Sequence, residues 1–161
     1  SYRSANDLLA GKHFDNRLRD IYPRLRTIRV ERGTSDEDYE RTARRVRGSD
    51  LVVVSLYVNG VSRDGDPVLP DELIDFIETL EARRTPHIVV SFGNPYLITE
   101  IPGVQAYMLA WGGSRVSQVA AARALFGEFP IRGRLPIDIP RFFAQGEGLR
   151  FGEVAERASG R

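Results

Sequence analysis

A stretch of loop-forming residues between two apolar runs holds Asn59, Arg63, Asp64 and Asp66. Two carboxylates so close together could share general acid–base work, one protonated and one not. They also sit among glycines, where aspartate more often makes local turns, so the pair alone does not define a site. Further on, Trp111-Gly112-Gly113-Ser114 follows another apolar run and precedes an alanine-rich segment. Trp111 offers a flat aromatic surface of the kind that stacks on a ring-shaped ligand such as a sugar, or else it packs. The Gly-Gly-Ser turn at a helix start could hold a phosphate on free amides. It lacks both the Gly-x-Gly-x-x-Gly spacing and a Gly-Lys-Ser/Thr ending, so a plain tight turn is the preferred reading.

Other chemistries find less support. His13 and His87 are far apart, with no cysteine and no His-Glu-x-x-His spacing, so no metal site and no cofactor is expected. Ser55, Ser62 and Ser91 lack a nucleophile elbow. With 23 basic and 22 acidic residues the net charge is +1, which gives no global field to attract nucleic acid or an anionic membrane. The arginines at 41, 44, 45 and 47 alternate with acids at 36, 37, 38 and 40, the pattern of a solvated helix face. The longest uninterrupted apolar run, Leu51-Val52-Val53-Val54, is far too short to span a bilayer, and no leader-like segment opens the sequence.

The elements that must position these residues alternate between strand and helix. Strands are predicted near 25–30, 51–57, 87–92 and 105–110, the second so continuously apolar that it should be central and buried on both faces. Between them, Ser35 with Asp38 approximates a capping box. Leu73, Ile74, Ile77 and Leu80 form one apolar stripe behind Pro70, Asn94 caps a short turn, and Ser114 caps the Ala-rich helix that ends at Gly127. The expected fold is an α/β sandwich, flavodoxin-like, with a mostly parallel sheet and helices on both faces. In such sheets ligands gather beyond the carboxyl ends of the strands. The loops at 58–69, 93–95 and 111–114 should therefore meet at one edge.

One domain over 1–152 and a flexible tail over 153–161 are expected. The start is irregular for an alternating fold: a strand should precede the first helix, yet only Ser1-Tyr2-Arg3 stand there. These residues read as the stub of a strand beside the Leu51 strand, in a piece excised from a longer polypeptide. The sheet should then show a gap, a substitute strand or a domain boundary.

Gly133-Arg134-Leu135-Pro136 follows the Ala-rich helix ending in Leu125-Phe126-Gly127. Together with Ile88–Phe92 running into Gly93-Asn94-Pro95-Tyr96, and with Gly146-Glu147-Gly148-Leu149, it resembles the second domain of glycoside hydrolase family 3 over roughly 48–152. The resemblance implies a carbohydrate-hydrolysing parent in which a barrel domain carries the nucleophilic aspartate. In many two-domain members the loop corresponding to 58–69 supplies the acid/base glutamate, but here no glutamate occurs from Asp50 to Pro70. That departure fits the branch resembling β-N-acetylglucosaminidases, where a barrel histidine takes the acid/base duty. The implied role is accessory, with no catalytic residue in this chain. Asn59, Arg63, Asp64 and Trp111 become candidates for the substrate cleft or the domain interface. The implied partners are an N-terminal barrel domain of the same polypeptide and, through it, a carbohydrate. The alternatives are a stand-alone flavodoxin-like module for a nucleotide or flavin, a β-glucosidase C-terminal domain contributing to the sugar site, and an interaction domain without a ligand.

Overall fold

The computed structural model describes residues 1–3, 10–60 and 68–152. Five strands form one parallel sheet: β1 (Tyr2–Arg3), β2 (Val30–Glu31), β3 (Val52–Tyr57), β4 (His87–Ser91) and β5 (Tyr107–Leu109). Their order across the sheet is β2-β1-β3-β4-β5. Among the described residues there are four α-helices, α1 (Lys12–Ile21), α2 (Asp36–Arg45), α3 (Asp71–Ala82) and, after β5, α4 (Arg115–Leu125).

The period-two pattern of the strands sorts their side chains onto two faces. Val54, Leu56, Val58 and Val89 pack with Tyr39 of α2 and Leu73, Phe76 and Ile77 of α3. On the other face Tyr57, Val90 and Phe92 pack with Phe14 and Leu18 of α1 and Ala121 and Ala122 of α4. Both faces of β3 and β4 are thus covered, which is why these segments read as continuous apolar runs.

The caps form as the residue types dictate. Ser35 and Ser114 accept from the amides of Asp38 and Ser117, and Asn94 from that of Tyr96. Each satisfies a donor the helix leaves orphaned, worth about 1 kcal/mol. Arg41 and Arg44 pair with Asp38 and Glu40 on the exposed face of α2.

Only part of the first predicted strand is realised. Val30–Glu31 pairs with β1, whereas 25–29 enters no strand. Its side chains favour extended backbone, but a strand needs a neighbour, and β1 reaches back only to Tyr2. β1 lies inside the sheet, between β2 and β3, beside the Leu51 strand as expected.

After α4 the chain folds back as an arm. Ile131 bridges Phe151, Leu135 exchanges backbone bonds with Gly146 and Glu147, and Ile139 is buried. The two glycine motifs therefore meet: a Cβ on Gly148 would stand 2.6 Å from the carbonyl oxygen of Gly133, closer than any real Cβ contact. Residues 153–161, where a tail is expected, lie outside the described residues.

Candidate functional site at the carboxyl edge of the sheet

The carboxyl ends of β3, β4 and β5 are stitched into one edge by backbone and amide groups. The Phe92 amide donates to the Leu56 carbonyl, and the Asn94 amide donates to Val58. Asn94 Nδ2 reaches the carbonyl of Gly60 at 2.8 Å. Ser91, wholly buried, donates its hydroxyl to the Asn94 carbonyl at 2.7 Å. Asn94 is thus a cap and a cross-strand tie at once.

Gly93 is the close approach that makes this possible. Its φ is 142°, and a Cβ there would meet Val58 O at 2.4 Å and Asn59 Oδ1 at 2.5 Å. Asn59, exposed at the exit of β3, therefore lies over the β4 turn. Beneath the edge, Tyr57 and Phe92 stack with ring centroids 4.6 Å apart, and Phe14 meets Phe92 edge-on at 5.2 Å. This aromatic floor is buried.

At the exit of β5 the backbone turns sharply, with the Gly112 amide donating to the Ala110 carbonyl at 2.8 Å. Trp111 takes φ 59°, a left-handed conformation unfavourable for a residue with a Cβ, and its side chain is 45% exposed. Arg84 and Arg141 share this left-handed backbone, so what distinguishes Trp111 is the large exposed ring it carries at the end of β5.

The residue that fixes this turn is Gln118, which sequence reasoning missed. Its side chain is 1% exposed. Oε1 accepts from the amides of His13 and Phe14, two orphan donors of the first turn of α1, and Nε2 donates to the Gly113 carbonyl at 2.7 Å. One amide group thus locks α1, α4 and the Trp111 turn together. The available signal was a polar residue one turn before Ala121 and Ala122, on the apolar stripe of α4.

The 58–69 loop is anchored at its ends. Glu100 accepts from the amides of Val68 and Leu69, at 2.8 Å for the latter, while Gly60 is held by Asn94. Of the predicted site residues, Asn59 and Trp111 stand on this edge; Arg63 and Asp64 lie outside the described residues, as does Asp66. Among the described residues of the three loops there is no aspartate or glutamate. Nearby, burial pushes the Tyr107 hydroxyl up to about 12, so it stays protonated. Among the described residues no three histidine, aspartate or glutamate side chains gather to hold a metal ion, and no helix is long and apolar enough to cross a membrane.

The sequence profile described as "Glycosyl hydrolase family 3 C-terminal domain" matches residues 6–156. The chain belongs to this family. The match is wider than the 48–152 span over which the motifs are legible by eye. Two solved structures of family-3 enzymes share the domain's fold. A fungal multi-domain β-N-acetylglucosaminidase aligns with 91% of the chain at TM-score 0.69 and 20% identity. A β-glucosidase from Listeria innocua, solved with isofagomine, aligns with 86% at TM-score 0.66 and 19% identity. The chain spans only 16% and 22% of those proteins' lengths. No curated protein matches it by sequence.

Proposed function

We propose that this family-3 C-terminal domain packs against a catalytic barrel in the same polypeptide and walls one side of its sugar site, within a retaining β-glycoside hydrolase that prefers N-acetyl-β-glucosaminides. The observation that carries the reading is Trp111, strained and exposed on a turn locked by Gln118 at the edge where such folds meet ligands. Retention needs a nucleophile and an acid about 5 Å apart. The described part of the edge supplies neither, so the chemistry belongs to the barrel and this edge contributes shape and stacking. The preference for the N-acetyl sugar rests on the missing glutamate between Asp50 and Pro70.

The test compares turnover of aryl N-acetyl-β-glucosaminide and aryl β-glucoside by the isolated chain, by the protein with its barrel, and by that protein carrying Asp64→Asn. The expected result is no turnover by the isolated chain, faster turnover of the N-acetyl substrate by the whole protein, and little effect of Asp64→Asn. Robust turnover by the isolated chain would overturn the accessory role. A near-total loss in a folded Asp64→Asn protein would place the acid on this loop.

A further inference from the structure

Trp111 is the centre of a three-residue turn: the Gly112 amide donates to the Ala110 carbonyl across it, and its own φ is 59°. Turns of this hand are rare and strained at a residue with a Cβ. Gly112 and Gly113 could take a left-handed backbone at less cost, so the turn stays centred on Trp111 only while both of its flanks are held. On one flank the Ala110 amide donates to the Ser91 carbonyl at 2.9 Å, within the sheet. On the other, Gln118 Nε2 donates to the Gly113 carbonyl at 2.7 Å.

What aims that donor is α1. The helix starts at Gly11, which has no side chain to cap it and takes φ 78°. The amides of His13 and Phe14 are left to Gln118 Oε1, which accepts from each at 3.1 Å. With two N–H groups on the oxygen the planar amide has one orientation, since turned over its NH2 would face two donors. Nε2 then points at Gly113. The same amide also sets the turn against the aromatic floor: Phe14 meets Phe92 edge-on, and a Cβ on Gly113 would stand 3.7 Å from Tyr57 Cδ1.

We propose that Gln118 is a positioning residue for the sugar site: through Gly113 it holds the indole of Trp111 at the angle at which it stacks on substrate, with α1 as the strut. The inference rests on the reading that Trp111 walls that site. The position demands an acceptor and a donor on one neutral group. A carboxylate keeps the α1 half and loses the Gly113 half, whereas a thioether loses both. A protonated carboxyl regains the Gly113 half, because its O–H can donate.

Trp111 is the single tryptophan of the chain, so its fluorescence reports the ring directly. In the isolated chain at about pH 8, Gln118→Glu and Gln118→Met should each raise acrylamide quenching of the indole about twofold, measured where circular dichroism shows the variant folded. At about pH 5 the buried carboxyl is protonated, so quenching of Gln118→Glu should return toward the parent while that of Gln118→Met should not. In the protein with its barrel, Gln118→Glu should raise KM for aryl N-acetyl-β-glucosaminide about fivefold with kcat nearly unchanged, and should add nothing in the Trp111→Gly background. Parent-like quenching in both folded variants would overturn the proposal, and so would an equal KM increase with and without Trp111. A KM moved by Trp111→Gly but not by Gln118→Glu would overturn it alone and leave the sugar-wall reading standing. A KM moved by neither, with quenching changed as expected, would overturn the sugar-wall reading and the proposal with it.

Discussion

Gln118 Nε2 donates to the Gly113 carbonyl at 2.7 Å while Oε1 of the same amide accepts from His13 and Phe14 at 3.1 Å, so a single side chain couples the start of α1 to the turn that presents Trp111. Replacing it with leucine keeps the volume and leaves three backbone groups, one buried and two part-buried, without that partner. Gln118→Leu should lose about 2–4 kcal/mol in urea unfolding. Gln118→Glu should also be destabilised, because a carboxylate cannot donate to Gly113 and would bring a charge into a buried site.

Gly93→Ala tests the closeness of the β3 and β4 exits. The added methyl meets Val58 and Asn59 oxygens at 2.4 and 2.5 Å on a backbone with φ 142°. A loss of about 3 kcal/mol is expected by chemical denaturation, with the Asn59 amide resonance displaced.

Gly148→Ala should instead act locally. Its Cβ would collide with the Gly133 carbonyl, separating the two motifs of the arm. Limited proteolysis should cut between Phe129 and Leu149 faster than in the parent, while the sheet unfolds at a similar temperature. Unchanged cleavage would mean that the arm absorbs the methyl.

Much of this architecture was legible because local and tertiary signals agreed. The run from Leu51 to Tyr57 is apolar at nearly every position, and the sheet buries β3 on both faces. Ser35, Asn94 and Ser114 cap as their side chains require. What was not legible depended on partners remote in sequence. Residues 25–29 carry strand-favouring side chains, yet pairing belongs to a neighbour, and the neighbour stops at Tyr2. The role of Gln118 arises only where α1 docks, about a hundred residues away in sequence. Trp111 was visible by type, but its left-handed backbone was not, because a Trp-Gly-Gly turn offers two glycines that could take that conformation more cheaply.

That backbone separates two roles of Trp111 that a single alanine substitution would confuse. At φ 59° any residue with a Cβ is strained by about 1 kcal/mol, so glycine relieves the turn while removing the ring. Alanine removes the ring and keeps the strain. If the indole merely packs, both variants lose stability through lost contact, and neither changes kinetics beyond the fraction unfolded. If it walls the sugar site, Trp111→Gly in the protein with its barrel should melt no lower than the parent. It should still raise KM for aryl N-acetyl-β-glucosaminide about tenfold, by loss of a stacking contact worth about 1–1.5 kcal/mol, with kcat less affected. The Trp111→Ala protein should match that kinetic change and melt lower than Trp111→Gly. A Trp111→Gly enzyme that is as stable as the parent and has the same KM and kcat would remove the ring from the substrate cleft and leave Trp111 at the domain interface or without a role.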